Sequence, residues 1–253
     1  MTGAMTGEDE IWHALRRLTA ARIGLERSGA ALATAPLLDF RLAHARARDA
    51  VHEPLDEMGL AAELSGLGSR VLSVCSAAEN HRSYLMRPDL GRRLAANCDT
   101  VLAAFAGDYD VAFVVADGLS ASAVTRHAAP VLSRTMPALR ADGWTIAPLV
   151  IIRHGRVAIG DAVAAALGAA CVAVLIGERP GLSAPDSMGA YLTWAPHPRS
   201  TDADRNCISN IRPQGIGYDA AGVKLAYMLR TMRARRTSGV QLKDDSDQIL
   251  IGR

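Results

Sequence analysis

Aromatic side chains are scarce in this chain of 253 residues and make up only 4% of it. Hydrophobic residues nevertheless reach 49%, and alanine is abundant. The core must therefore be built from small and aliphatic side chains, which favours helices packed closely on a sheet. With 21% charged residues the composition is that of an ordinary soluble globular protein, and the chain is long enough to bury a substantial core.

The sequence also has few cysteines and no excess of one charge. Its four cysteines form no C-x-x-C pair, so neither a zinc knuckle nor a disulfide framework is indicated, and a reduced, cytosolic compartment fits best. Lysine and arginine number 28 against 26 aspartates and glutamates, a net charge of +2. This balance gives no global field that would recruit nucleic acid or an anionic membrane.

Long apolar runs are missing as well, since none approaches the roughly 20 residues that a membrane-spanning helix needs. The first ten residues lack the basic-then-apolar order of a secretory signal, so we expect no membrane partner. The glycine-rich nucleotide-binding motifs and the zinc-protease and serine-hydrolase signatures are absent too. No assembled catalytic set or metal site is therefore predicted.

From residue 69 onward, apolar runs typical of strands alternate with runs typical of helices. Strands separated by helices indicate right-handed crossovers and a mostly parallel sheet. The predicted fold class is α/β, a mostly parallel Rossmann-like sheet flanked by helices, with an N-terminal helical segment. The predicted strands are 70–74, 110–116, 148–152, 171–176 and an edge strand at 190–194, and the predicted helices are 9–20, 36–51, 87–105, 120–139, 159–167 and 219–232.

The most informative feature is the turn Gly-Glu-Arg-Pro-Gly-Leu at 177–182, which ends the apolar strand at 171–176. Open α/β sheets bind their ligands at the carboxyl ends of the strands. A carboxylate, a guanidinium and two glycines at that place indicate that a polar ligand is met there.

Three further segments have the composition of ligand-binding turns. At 117–120 a helix cap fully explains Ser120. At 153–157 two arginines and a histidine could hold phosphate or amide groups, or simply lie in solvent. A polar loop is predicted at 204–210, where Cys207 is either an inert small hydrophobe or a nucleophile that needs a nearby base.

Several motifs together closely resemble the small (light) subunit of ethanolamine ammonia-lyase, over roughly residues 20–232. The longest are Tyr-Leu-Met-Arg-Pro-Asp-Leu-Gly-Arg-Arg-Leu at 84–94, Ile-Gly-Glu-Arg-Pro-Gly-Leu at 176–182 with Pro-Asp-Ser at 185–187, and Asp-Arg-Asn-Cys-Ile-Ser-Asn-Ile-Arg at 204–212. Shorter matches are Arg-Ile-Gly at 22–24, Ala-Arg-Asp-Ala-Val at 47–51, Asp-Gly-Leu-Ser at 117–120 and Gly-Arg-Val at 155–157.

The resemblance implies an adenosylcobalamin-dependent ammonia-lyase that converts ethanolamine to acetaldehyde and ammonia by a radical mechanism. In the family a large TIM-barrel subunit performs the chemistry, and the small subunit holds the cobalamin at the interface of a hetero-oligomer. By position, Val157, Glu178 and Cys207 match the family's cobalamin contacts, while no catalytic residue falls on this chain. The N-terminal helical segment would span 1–60, the cobalamin-binding α/β domain 61–236 and a C-terminal tail 237–253.

Other interpretations follow from the same residues. No Asp-x-His-x-x-Gly motif occurs, so base-on binding of the cofactor (coenzyme B12) is expected. The expected location is the cytoplasm, with a bacterial microcompartment as a further option. The alternatives are a stand-alone corrinoid- or nucleotide-binding α/β module without lyase activity and a cysteine-dependent enzyme that uses Cys207.

Overall fold

The computed structural model describes residues 7–19 and 21–246, in which helices cover both faces of a six-stranded sheet. A separate two-stranded hairpin lies near the N-terminus. The strands are β1 Arg27–Ser28, β2 Ala31–Leu32, β3 Val71–Cys75, β4 Tyr109–Ala116, β5 Leu149–Arg153, β6 Ala169–Gly177, β7 Met188–Trp194 and β8 Arg205–Ile211. The α-helices are α1 Gly7–Arg16, α2 Thr34–His52, α3 Glu57–Ser65, α4 His81–Met86, α5 Cys98–Ala103, α6 Ala121–Ala141, α7 Ile159–Leu167 and α8 Tyr218–Arg235.

The main sheet has the strand order β3-β5-β4-β6-β7-β8. Strands β3, β5, β4 and β6 are parallel to one another, whereas β7 and β8 are antiparallel to their neighbours. The predicted α/β class is confirmed, although the parallel arrangement holds for only part of a mixed sheet. Because β7 pairs with both β6 and β8, the prediction of an edge strand at 190–194 is wrong.

The edge position belongs to β8, in the segment predicted to be a loop. This strand has the polar sequence Arg-Asn-Cys-Ile-Ser-Asn-Ile, and only Arg205, Ile208 and Ile211 in it are buried. An edge strand with one face toward solvent needs few apolar residues. The loop prediction at 204–210 is therefore corrected to a strand.

The two central strands are buried on both faces, which explains their continuous apolar sequences. On β4, Val111, Phe113 and Val115 face a cluster completed by α3, α6 and α8. The alternate residues Ala112 and Val114 face a second cluster completed by α5 and α7. The period of two along one strand thus supplies both halves of the core.

One predicted helix, at 87–105, is broken in the structure. A 3₁₀ turn occupies Leu90–Arg92, Leu94 forms a β-bridge with Ser76, and a regular helix begins only at Cys98. Asn97 has a left-handed backbone with a φ of 67°, which interrupts any continuous helix before that point. The Pro-initiated helix prediction therefore fails at its first half.

The N-terminal helices follow the prediction in part. The helices predicted at 9–20 and 36–51 are observed as α1 and α2, and residue 20 lies outside the described residues. Helix α3 was not predicted: Asp56 caps it by accepting a hydrogen bond from Gly59 N at 3.0 Å, and Leu60 is fully buried. The division at residue 60 stays a prediction, and it falls within this helix. Within the described ranges, no helix is both long and apolar enough to cross a bilayer.

Candidate functional site

The turns that follow β4 and β5 are joined by the carboxylate of Asp117. It accepts hydrogen bonds from His154 N at 2.8 Å and from Gly155 N at 3.1 Å. Burial raises the pKa of Asp117 above its ordinary value, while these backbone N–H groups act to lower it. One buried side chain therefore fixes the backbone of the 153–157 turn at the carboxyl edge of the sheet.

The turns that follow β4 and β6 lie in direct contact. Leu119 N donates to Gly177 O at 3.0 Å, and Gly118 has a left-handed φ of 58°. A Cβ on Gly118 would collide with the Gly177 carbonyl, so only glycine fits. Ser120 occupies the N-cap position of α6, but the predicted side-chain cap is not formed, because its hydroxyl donates instead to Pro185 O at 3.1 Å.

Glu178 follows β6 and is half-buried. Its carboxylate accepts hydrogen bonds from Ser187 Oγ at 2.7 Å and from Asn210 N at 3.2 Å. The adjoining Gly189 leaves room for it, since a Cβ there would lie 2.9 Å from Glu178 Oε1. A carboxylate has about four acceptor positions, so Glu178 retains capacity for a ligand while it joins the turn to β8.

Val157 lies between two neighbouring cavities at this edge. The smaller, of about 380 Å³, extends to Leu119 and Glu178. The larger, of about 500 Å³, extends toward residues 200–205. Both are lined by Val157, Arg156 and Tyr191, so they form one continuous surface in which these three residues lie at the centre.

Cys207 reaches this surface through Tyr191. The two residues are directly opposite each other across β7 and β8, and their side-chain groups interact electrostatically. Cys207 is exposed as a residue, but partial burial of its thiol is the largest cause of its raised pKa; the Tyr191 hydroxyl lowers the pKa and the Glu178 carboxylate raises it. His197, the histidine nearest in sequence, accepts a hydrogen bond from Arg199 N at 2.9 Å. A thiol with a raised pKa is a poor nucleophile, which argues against a cysteine-dependent enzyme.

Two features of the site were not found from the sequence. Tyr191 stands in an alternating strand with no local sign of function. The buried ion pair between Arg205 and Asp161, with N–O distances of 2.8 and 2.6 Å, joins positions far apart in the chain. Only the strand register and the packing of α7 bring these side chains to the site.

Comparison with known proteins gives a consistent match over almost the whole chain. A family model described as "Ethanolamine ammonia-lyase light chain (EutC)" matches residues 9–243. A protein of Ralstonia nicotianae named ethanolamine ammonia-lyase small subunit is 52% identical over 244 residues, covering 95% of this chain and 90% of that protein. Proteins of the same name from Pseudomonas putida and Xanthomonas campestris pv. campestris are also 52% identical, covering 94% and 100% of this chain and 89% and 94% of their own lengths.

Proposed function

This chain belongs to the ethanolamine ammonia-lyase light-chain family, and on that premise we propose that it is the subunit that holds adenosylcobalamin at the interface with a large catalytic subunit. The reaction is the conversion of ethanolamine to acetaldehyde and ammonia. The complex is a lyase, and this chain supplies binding residues to it rather than catalytic ones.

The observation that carries this proposal is the convergence of Val157, Glu178 and Cys207 on one surface around Tyr191. These residues come from the turn before α7, the turn after β6 and strand β8, yet the first two line one cavity and the third is the cross-strand partner of Tyr191 in its wall. Ligands of open α/β sheets bind at this edge.

The residues present fit the chemistry of a corrinoid. Cobalamin is a macrocycle fringed with amides, so it calls for hydrogen-bond acceptors at its rim and apolar groups against its flat surface. Glu178 supplies an acceptor, while Val157 and the Tyr191 ring supply apolar contact. When bound, adenosylcobalamin supplies radical chemistry through homolysis of its cobalt–carbon bond. The chain's part is to orient the group and to exclude water from one side of it.

The size and openness of the surface support a site shared with a partner. Cavities of about 380 and 500 Å³ are in the range that holds a drug-sized ligand, and a corrinoid is much larger. This chain would therefore cover one part of the cofactor, and the large TIM-barrel subunit would cover the rest within a hetero-oligomer.

The proposal also includes binding of the cofactor with its own base on the cobalt, and a reducing compartment for the protein. Among the described residues that line the two cavities there is no histidine that could replace the cofactor's own base. All four cysteines are free thiols, which suits the cytoplasm or a bacterial microcompartment within it. Electron paramagnetic resonance of the Co(II) complex with ¹⁵N-histidine-labelled protein tests the first point, because coordination by a protein histidine would change the nitrogen hyperfine pattern.

The decisive experiment mixes the purified chain with the large subunit and adenosylcobalamin, and measures ammonia release from ethanolamine. We expect activity only when both subunits and the cofactor are present. Activity of either subunit alone would contradict the proposed division of labour. Corrinoid binding by this chain, with no activity in any mixture, would instead support the stand-alone binding module.

A further inference from the structure

The larger of the two cavities has an arginine-rich wall that the contacts already described do not explain. Arg92, Arg156 and Arg205 all line it. Arg92 is exposed at the end of a 3₁₀ turn, Arg156 is half-buried beside Val157, and the Arg205 side chain is only 2% exposed. Three guanidiniums on one concave surface repel one another unless acceptors lie between them.

Two of these arginines have a buried donor without a partner. Arg205 uses its terminal nitrogens on Asp161 and Thr193, but its Nε makes no hydrogen bond, and Asp202 Oδ1 is 4.0 Å away. Arg156 donates from Nη2 to Tyr84 O at 3.3 Å, and its Nε is also buried without a partner. Buried polar groups in native proteins nearly always have partners, so this wall of the cavity has more hydrogen-bond donors than acceptors.

The charge of the cavity indicates the class of acceptor that suits these donors. Asp161 neutralises Arg205 through two hydrogen bonds. Arg92 and Arg156 then face a single acidic lining residue, Asp202, which leaves an excess of one positive charge. A monoanion with several oxygen acceptors matches this arrangement, and guanidinium groups bind phosphate oxygens well.

We propose that this cavity binds the phosphodiester of the corrinoid's nucleotide tail. The inference rests on the proposed function, because it assigns a part of the same ligand to a neighbouring part of the same surface. Arg156 and Val157 line both cavities, so a ligand seated against Val157 could extend one substituent into the arginine-rich end. A phosphodiester carries one negative charge and two unbridged oxygens, which suits the donors present.

The test uses the complex with the large subunit and compares two inactive corrinoids by equilibrium dialysis. Cyanocobalamin has the nucleotide tail, and dicyanocobinamide lacks it together with its phosphodiester. We expect Arg156→Gln to weaken cyanocobalamin binding by about 10- to 100-fold, the size expected for a charge-assisted hydrogen bond, and to change dicyanocobinamide binding by less than about twofold. Arg93→Gln is the matched control, because Arg93 is bonded to Asp89 and does not line the cavity.

Arg92→Gln provides a second variant, since its exposed side chain is not needed for packing. Arg156→Gln loses the contact of the guanidinium with the Tyr84 ring, 4.3 Å from its centroid. If thermal unfolding shows that this variant is not folded, the same comparison of corrinoids is made with Arg92→Gln. Equal weakening of both corrinoids, or no weakening of either, would overturn the phosphodiester site while leaving the proposed function intact. Failure of the wild-type complex to bind either corrinoid would refute both.

Competition with inorganic phosphate tests whether the cavity binds the phosphodiester of the nucleotide tail or only a free anion. We expect millimolar phosphate to compete with cyanocobalamin and not with dicyanocobinamide, and to do so only when Arg156 is present. Phosphate that binds at Arg156 without displacing cyanocobalamin would show that a free anion occupies the cavity, and the proposal would then be wrong.

Discussion

Glu178 serves two neighbours at once, because its carboxylate holds Ser187 and the backbone of Asn210 while it faces the smaller cavity. These internal bonds fix the direction of the carboxylate before any ligand arrives. A ligand that donates to it therefore loses little freedom from the protein side. The arrangement makes this residue a fixed acceptor rather than a mobile one.

Two variants should separate the role of Glu178 as an acceptor for a ligand from its role in bracing the turn. We expect Glu178→Gln to weaken cobalamin binding by the complex by about tenfold, because a charged acceptor is worth about 1.5–3 kcal/mol and the amide retains part of that value. Ser187→Ala removes one internal bond and leaves the carboxylate in place, so it should change affinity less. Equal losses from the two variants would mean that Glu178 acts only by bracing the turn.

Tyr191 is placed where the two cavities meet. Burial chiefly raises its pKa, and the neighbouring Cys207 raises it further, so the phenol remains protonated beside the thiol. Neither group needs to react in the role proposed for this surface.

The interaction of Tyr191 with Cys207 can be tested without any cofactor. Tyr191→Phe removes the hydroxyl that lowers the pKa of Cys207, so we expect alkylation of this thiol by iodoacetamide to require a higher pH than in the wild type. Cys207→Ser identifies the signal of this thiol against the other three cysteines, and Tyr227→Phe on α8 is the control for removing a tyrosine hydroxyl. An unchanged midpoint in the rate–pH profile would mean that the Tyr191 hydroxyl does not act on the Cys207 thiol.

At the scale of elements, the continuous apolar strands were predictable and the polar or interrupted ones were not. Strand β6 and helix α7 were found because local pattern and burial agree there. Strand β8 was missed since an edge strand needs few apolar residues. The first half of the helix predicted at 87–105 was wrong because Leu94 pairs with the distant Ser76 and Asn97 has a left-handed backbone. Among the site residues, Val157 and Glu178 could be placed at strand ends in advance, whereas the contact of Cys207 with Tyr191 depends on strand register.

Strand β8 is fastened to its neighbours by the Arg205–Asp161 pair. Arg205 also donates to Thr193 on β7 at 2.9 Å, so one side chain joins β7, β8 and α7. Both partners are almost fully buried, with side-chain exposures of 2% and 6%. Burial acts to lower the pKa of Arg205, but the hydrogen bonds and charge of Asp161, together with the charges of Asp202 and Asp204, outweigh it and the net direction is upward.

Breaking this pair from one side should be costly. We expect Asp161→Ala to lower the free energy of unfolding in urea by about 3–5 kcal/mol, because it leaves a charge buried without its partner. Asp161→Ala combined with Arg205→Met should recover most of that loss. The exposed Arg48–Asp49 pair gives the control, since Asp49→Asn should change stability by less than about 1 kcal/mol. A similar small effect of Asp161→Ala would show that the pair does not fasten β8.

For the molecule as a whole, the mixed sheet explains why the candidate site is open on one side. The parallel strands β5, β4 and β6 present their turns at one edge, and Tyr191 and Cys207 of the antiparallel β7 and β8 continue the surface from that edge across the face of the sheet. The residues of the site come from five separate segments of the chain: the turn before α7, helix α7, the turn after β6, strand β7 and strand β8. The site therefore depends on global stability and not on one local motif.

A single histidine joins three of the parts that must stay together. His127 on α6 is bonded through Nδ1 to Tyr218 Oη of α8 and through Nε2 to Asp186 O of the segment after β6, both at 2.9 Å. Nε2 must donate, because a carbonyl oxygen only accepts, and in the neutral ring Nδ1 then accepts from the Tyr218 hydroxyl. Burial is the main cause of its lowered pKa; Arg126 and Arg212 lower it further, and Asp186 opposes them.

The sign of this shift predicts loss of stability in mild acid. Unfolded His127 takes up a proton near its ordinary pKa of 6.5, while the folded ring does so only at lower pH, so the free energy of unfolding should fall as the pH drops below 6.5. His81, whose pKa is also lowered by burial and by His154 and His52, adds to the fall. In urea titrations at pH 7.5, 6.5 and 5.5, we expect His127→Gln to be less stable than wild type at pH 7.5 but to lose less on acidification. An equal loss of unfolding free energy in both proteins would mean that protonation of His127 does not cause the loss of stability in acid.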